Sequence, residues 1–459
     1  MKKHTFDYDL IVIGTGVGGS VAATIAAREG WRVAIVERGI FGGDSSNTGD
    51  VPVGALLHAA QLYDEAKRGG EFGIRSTTLG YNYPSIRAWK ESAMGRTGVS
   101  NNRSFYTKQG IATFHGNAHF LTPHEITVNR RHLSAKFFLI ATGTSWKIPN
   151  IQGVADISFF TPDTILDTLR PPKSLLIIGS GRRALEIAQV MAVFGTTVTV
   201  IESKNHILPL FDKEVGNAVA QTLEQQMTIL TDTTAVAIKP DGREKRITLS
   251  RGGATKYVTV DDILIADETV PNTDMGLDNA LVRYTNKGIE TSRSFQTSTK
   301  HIYAVGDVLG NDRDSHATII ESRIAIHRIL GGSLATPDYD AMPRIVTTSP
   351  SVAQVGLTIR TARKQKITVK QATVPLKLVG ASTIKGTNNG FVTIIADARG
   401  VVVGGTIVAP QATEMIQILS IAVKNRLTTS QLAETPYVFL SWSEAIRVAA
   451  QKLSKSAIV

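Results

Sequence analysis

The sequence predicts an α/β protein with two Rossmann-like units followed by a C-terminal α+β domain. Three observations carry this. Residues 8–37 run strand, glycine turn, helix, strand, acid. Residues 175–202 repeat that order. From Pro343 the pattern changes to longer strands and amphipathic helices.

In the first unit, residues 8–13 are short, apolar and β-branched, as a buried parallel strand requires. Gly14, Gly16, Gly18 and Gly19, with Val17 among them, form a turn that lets the backbone approach a pyrophosphate at a helix N-terminus. Residues 20–29 are rich in helix formers and stop at Gly30. Glu37 closes the second strand 23 residues after Gly14, where an acid accepts hydrogen bonds from ribose hydroxyls.

At 459 residues the chain is long enough for three domains. A hydrophobic content of 42% and a mean hydropathy of +0.01 fit a soluble globular protein. The apolar runs fall short of the ~20 residues of a membrane helix. Met1-Lys2-Lys3-His4 leads straight into the first strand, too early for a signal peptide, so a cytoplasmic protein is expected. There is no cysteine, which excludes disulfides, thiolate catalysis and cysteine metal sites. The ten histidines show no ligand spacing, and no metal is expected. The net charge of +11 favours contact with anions. Its densest run, residues 360–370, reads as solvated surface, and no nucleic-acid motif accompanies it.

After Glu37, residues 42–49 form a polar loop. Asp50 is placed to cap a helix carrying Pro52 and running through 56–67. A helix is expected around 85–95. Residues 111–117, 125–128 and 132–134 read as an antiparallel meander, with turns at Gly116-Asn117 and Asn129-Arg130. Residues 137–140 form a further buried strand ending in Ala141-Thr142-Gly143, and Pro149 and Gly153 mark a linker. The second unit has its strand at 175–178, the turn Gly179-Ser180-Gly181-Arg182-Arg183-Ala184, a helix over 185–194, a strand at 197–201 and the acid Glu202. Glu202 again lies 23 residues after the first glycine of its turn. Two matched units imply two dinucleotide sites. Residues 263–266 close the second unit. Residues 302–305 form a strand ending in Gly306-Asp307, with a helix after it. Strands at 390–396 and 401–408 and helices at 413–426 and 443–453 make the third domain. The expected division is 1–150 with 270–340, 151–269, and 341–459.

This order of motifs resembles the flavoproteins with two dinucleotide-binding domains, the pyridine nucleotide-disulfide oxidoreductases typified by glutathione reductase, dihydrolipoamide dehydrogenase and mercuric reductase. The motifs that carry the likeness are Gly14–Gly19 with Glu37, Gly42-Gly43, Ala141-Thr142-Gly143, Gly179–Ala184 with Glu202, Pro271-Asn272-Thr273, Gly306-Asp307, and Pro343-Arg344 through Gln354-Val355-Gly356-Leu357. The resemblance implies FAD on the first unit, an NAD(P)H site on the second, and a C-terminal dimerisation domain whose partner copy completes the active site of a homodimer. It assigns FAD to Gly14, Gly16, Val17, Gly18 and Gly19 with Glu37 and Arg38. It adds Gly42, Gly43, Asp44 and Ser45, then Asn117 and Ala118, then Ala141, Thr142 and Gly143, then Gly306 with Asp307 on the ribitol. The pyridine nucleotide falls to Gly179, Gly181, Arg182, Arg183 and Glu202.

The family's redox chemistry does not carry over. Its two cysteines correspond to Ser45 and Asp50, and the lysine that follows is Gly54. Glu186, which would pair with that lysine, remains. The C-terminal histidine corresponds to Phe439, which cannot transfer a proton, while Glu444, which would orient it, remains. An aromatic lid after the second glycine turn is replaced by Arg182. The motif usually read Gly-Arg-x-Pro-Asn is Glu268-Thr269-Val270-Pro271-Asn272. Glu268 either repels a pyrophosphate or crowds the ring, or else it pairs with Arg182 or Arg183 and closes the pocket when no nucleotide is present.

Four candidate catalytic residues follow. Asp50 is either a carboxyl with a raised pKa that relays protons or a solvated helix cap. Ser45 is either a catalytic group or a small polar filler. Glu186 lies near the nicotinamide or pairs with an arginine. Glu444 supports the C-terminal segment, where Tyr437, Phe439 and Trp442 form either a wall for a planar acceptor or interface packing. Arg182 and Arg183 could bind the 2′-phosphate of NADP(H), but Glu202 favours NAD(H). The resulting expectation is an FAD oxidoreductase passing electrons from NADH to a small non-disulfide acceptor such as a quinone or oxygen. The alternative is an FAD-binding dimer without NAD(P)H turnover.

Overall fold

The computed structural model describes residues 5–75, 78–310, 314–333 and 335–454. Its first sheet has seven strands. Ala112–His115, Val33–Glu37, Tyr8–Ile13 and Arg131–Ile140 lie side by side in that order and run parallel, and Ile302–Ala304 joins Arg131–Ile140 on its far side. Ile11 faces Ala34 on one neighbour and Phe138 on the other. Leu10, Ile11 and Val12 are fully buried because both faces of the sheet are covered. Helices Val17–Arg28 and Ser315–Ile329 pack together on one face, where Val12, Ala22, Tyr303 and Ile326 share a core.

The second sheet repeats the arrangement. Thr228–Leu230, Thr197–Ile201, Ser174–Ile178 and Asp262–Ile265 are parallel and ordered as their counterparts are in the first. Helix Arg182–Val193 follows its first strand and is buried along nearly its whole length, packing against helix Asp50–Lys67. The duplicated pattern of strand, turn, helix and strand thus gives a duplicated sheet.

The third sheet is antiparallel, ordered Arg344–Val346, Ser351–Gly356, Val402–Ala409, Phe391–Asp397 and Val369–Pro375. Helices Ala412–Lys424 and Glu444–Leu453 cover one face, burying Ile394, Ile407, Leu419 and Ile446.

Two local expectations are corrected. The segment 111–117 is not part of a meander: Ala112–His115 pairs parallel with Val33–Glu37 as an outer strand of the main sheet. The meander is made by Ala118–Thr122, Glu125–Val128 and the first half of Arg131–Ile140. Alternation of side chains cannot tell a parallel edge from a hairpin arm, since both bury one face. Asn129 and Arg130 do form the expected turn, both with positive φ. Asp50 is not a helix cap either. Gly49 occupies that position and Asp50 is the first helical residue, so its carboxylate is free to face another element.

Candidate active site

Each glycine turn is shaped by contact with the next strand of its sheet. Gly14 has φ 102°, and a Cβ there would lie 2.3 Å from the carbonyl oxygen of Ala141. Gly179 has φ 103°, and its Cβ would lie 2.6 Å from that of Ala266. By contrast, a Cβ on Gly16 or Gly181 would meet nothing within 4 Å. These two glycines stand at the N-cap of Val17–Arg28 and Arg182–Val193, and no side chain caps either helix. Open space above uncapped N–H groups fits a pyrophosphate in both units.

The acids are anchored in matching ways. Glu37 accepts from the N–H of Thr15 at 2.9 Å, from its hydroxyl at 2.6 Å, and from the N–H of Gly39 at 2.8 Å. Glu202 accepts from the Ser180 hydroxyl and from the N–H of Lys204 at 2.8 Å. Thr15 and Ser180 fill the same position in their turns.

The other expected FAD residues gather around the first turn. The Gly42 N–H donates to the Thr15 hydroxyl at 3.0 Å, and a Cβ on Gly43 would lie 2.3 Å from the Cα of Gly16. Thr142 and Asn272 are tied by two hydrogen bonds, of 2.8 and 2.9 Å, joining the Ala141-Thr142-Gly143 and Pro271-Asn272-Thr273 motifs. Arg38 donates to Ser145, itself bonded to Asn272. Thr318 packs against both Gly18 and Gly306, which brings Gly306-Asp307 beside the turn. The Gly306 N–H donates at 2.8 Å to the fully buried Glu321, and Asp307 lies in the short turn Gly306–Leu309. Asp44 accepts from Thr48. Asn117 is exposed, and Ala118 begins a strand of the meander.

Between the two turns lies an ion network. Arg182 donates to Asp50 at 2.7 Å, to Glu186 at 3.0 Å and to Asp314. Arg183 reaches Glu186 at 3.1 Å and Asp50 at 3.2 Å. Ser315 and Ser45 donate to the other oxygen of Asp50, at 2.5 and 2.8 Å. Glu186 is fully buried and also accepts from the N–H and hydroxyl of Thr347, at 3.0 and 2.7 Å. Three carboxylates therefore face two guanidinium groups, joining helix Asp50–Lys67 to helix Arg182–Val193 and to the start of Ser315–Ile329.

This corrects the expectation for Asp50. Burial pushes its pKa up, but Arg182, Arg183 and the two serine hydroxyls outweigh burial and hold it at about 2. It is a fixed anion, unsuited to relaying protons near neutrality. Glu186 behaves alike: burial opposes its charge, while Arg182, Arg183 and Thr347 lower its pKa. Nearby, Asp163 is shifted the other way, by burial and by the charge of Asp44.

Other expectations also change. Glu268 pairs with Lys147 at 2.7 Å in an exposed ion pair, not with Arg182 or Arg183, whose guanidinium groups turn toward Asp50. Ser45 is a hydrogen-bond donor to Asp50 rather than filler. Glu444 accepts from the Leu440 N–H at 2.9 Å within the third domain. Tyr437, Phe439 and Trp442 form no single wall. Trp442 and Tyr437 pack on the third-domain core, and burial lifts the Tyr437 pKa to about 12, whereas Phe439 is 78% exposed. Asp314, Ser315 and Thr347 were missed from the sequence. The signal for the first two was an Asp-Ser pair at a helix start shortly after Gly306-Asp307.

The pattern of the family described as pyridine nucleotide-disulphide oxidoreductase matches residues 8–326, and that of its dimerisation domain matches residues 342–450. The chain belongs to this family. Dihydrolipoyl dehydrogenase of Thermus scotoductus (strain ATCC 700910 / SA-01) is 33% identical over 469 residues, covering 98% of each chain. Mercuric reductase of Staphylococcus aureus is 29% identical, covering 98% of this chain and 83% of its own. The crystal structure of LpdA from Mycobacterium tuberculosis superposes with a TM-score of 0.86 at 25% identity, covering 97% of this chain and 99% of its own. Pyridine nucleotide-disulphide oxidoreductases are flavoproteins that use NAD(P)H. This member has no cysteine at all, and no helix among its described residues is long and apolar enough to cross a membrane.

Proposed function

We propose that the chain is an FAD-dependent oxidoreductase that takes electrons from NADH and delivers them to a small non-disulfide acceptor such as a quinone or oxygen. The observation that carries this reading is the contrast within one site. Both turns keep open, uncapped helix N-termini, while the sequence holds no thiol for a disulfide relay.

The first turn with Glu37 would hold FAD, with Gly42, Gly43, Thr142 and Asp307 around it. The isoalloxazine of bound FAD supplies the hydride-accepting chemistry. The second turn would bind NADH, and Glu202 sits where an acid accepts from ribose hydroxyls and disfavours a 2′-phosphate. The ion pairs of Arg182 and Arg183 with Asp50 and Glu186 support the same choice, since they occupy the two guanidinium groups. In this reading Asp50, Glu186 and Asp314 fix the two guanidinium groups as a permanent charged floor between the cradles. They position and screen charge and do not exchange protons. In this reading the chain divides into 1–150 with 270–340, 151–269 and 341–459, and the third unit pairs with a second copy.

A second reading is favoured by one observation. Arg182, the residue directly after the second turn, is tied to three carboxylates. A nicotinamide that needs this space would have to displace it, and an FAD-binding dimer without turnover would result if it could not.

Anaerobic addition of NADH to the yellow protein separates the two. Rapid bleaching of the flavin band near ~450 nm is expected, because the cofactor carries the redox change, with NADPH much slower. Absence of bleaching by either nucleotide leaves the non-turnover dimer. Reoxidation by a quinone panel then names the acceptor class.

A further inference from the structure

Residues 342–459 contain fourteen Lys or Arg against four Asp or Glu, so ten of the eleven excess positive charges sit in the last quarter of the chain. The imbalance is also local. Between Asp340 and Asp397 there are eight Lys or Arg and no acid. The structure folds the densest part of this stretch into one corner. Helix Ile359–Lys364 ends, Lys366 turns the backbone with φ 56°, and the chain enters Val369–Pro375, the edge strand of the third sheet. Arg363, Lys364, Lys366 and Lys370 are all exposed there. Arg360 is paired with Asp212 at 3.3 Å, but none of these four makes an ion pair among the described residues. Ile367, between Lys366 and Lys370, is 41% exposed.

We propose that this corner docks the protein on an anionic lipid bilayer surface. Four lysine and arginine charges within eight residues match the density at which a basic segment is held by acidic headgroups. The aliphatic tip Ile367 suits the acyl boundary, with the flanking lysines reaching outward to the headgroups. Residues 341–390 hold no Phe, Tyr or Trp, so the corner offers no stacking platform for the bases of a single-stranded nucleic acid. Three of the four cations are lysines, point charges rather than the planar forks that read nucleic-acid phosphates in register. The contact is peripheral, which agrees with the lack of a spanning helix among the described residues. It does not depend on the redox reading above, since no residue of the corner belongs to the ion network or the glycine turns.

The test is sedimentation of the full chain with vesicles of phosphatidylcholine, with and without about a third phosphatidylglycerol. Binding is expected only to the anionic vesicles, and should be lost in roughly 1 M salt, where the screening length falls to about 3 Å. The triple variant Lys364→Glu, Lys366→Glu, Lys370→Glu should weaken binding by roughly a hundredfold or more, at about fivefold for each charge removed and more for reversal. Unchanged circular dichroism and flavin content would show that it still folds. A second variant, Ile367→Asp, should weaken binding further than Ile367→Ala. Equal binding to both vesicle types, full retention by the triple variant, or binding to duplex DNA or heparin in place of vesicles would each overturn the proposal.

Discussion

Arg182 and Asp50 meet at 2.7 Å, where helix Arg182–Val193 packs against helix Asp50–Lys67. They lie 132 residues apart in the sequence, and neither side chain is more than 29% exposed.

The pair sets an acid-sensitive component of stability. The pKa of Asp50 falls from an unfolded value near 3.8 to about 2. A carboxylate with a depressed folded pKa contributes stability that is present above the unfolded value and is lost as pH falls through the folded one. That contribution is about 2 kcal/mol, and it disappears between roughly pH 4 and pH 2. Asp50→Asn should lose a similar amount at neutral pH, because Arg182 and Arg183 are left partly unpaired. Urea unfolding at several pH values should then show the two proteins converging at the acid end.

The glycine turns divide into positions that cannot take a side chain and positions that can. A Cβ on Gly19 would lie 1.9 Å from the Gly14 carbonyl oxygen, within the turn itself. Gly19→Ala should destabilise by roughly 3 kcal/mol and release FAD. Gly181→Ala adds its methyl to open space and should leave folding and flavin content intact while raising the Kd for NADH. Flavin retention on a desalting column and a fluorescence titration with NADH would score both.

His124 and His301 stack with ring centroids 3.7 Å apart and planes 6° from parallel. His301 Nε2 donates to the Pro123 carbonyl at 2.7 Å, and burial lowers its pKa below 6.5. The unfolded chain therefore takes up this proton first, so stability should decline as pH drops below about 6.5 and should recover above it. His301→Gln should flatten that part of the profile in thermal melts followed between mildly acidic and neutral buffer.

Val438 and Phe439 are each 78% exposed beside Leu440 at 42%. A run of this kind on the domain that matches the dimerisation pattern should be buried by a second copy. Phe439→Glu is expected to raise the dimer dissociation constant roughly thirtyfold or more. Sedimentation velocity across a dilution series would detect it. An unchanged dimer would place the interface elsewhere on the domain.

Much of the fold was legible because it rests on local signals. The glycine turns, the two acids and the β-branched strands each follow from steric or hydrogen-bonding demands within about thirty residues. The charged network was not, because it joins residues from four separate stretches. Asp50 looked like a cap when only its neighbours were considered, and its real partners arrive from helix Arg182–Val193 and the start of Ser315–Ile329. Glu268 and Arg182 seemed matched by sign, yet Lys147 lies closer to Glu268 in space. Pairing of charges is a property of packing, and composition gives only the candidates.

Thr15 with Glu37 and Ser180 with Glu202 repeat one internal tie in both halves. Each acid is therefore aimed by the polypeptide itself, before any nucleotide arrives. A chain stripped of its cofactors should keep both receptacles in shape, so that reloading is a matter of diffusion and docking and requires no rebuilding of the protein.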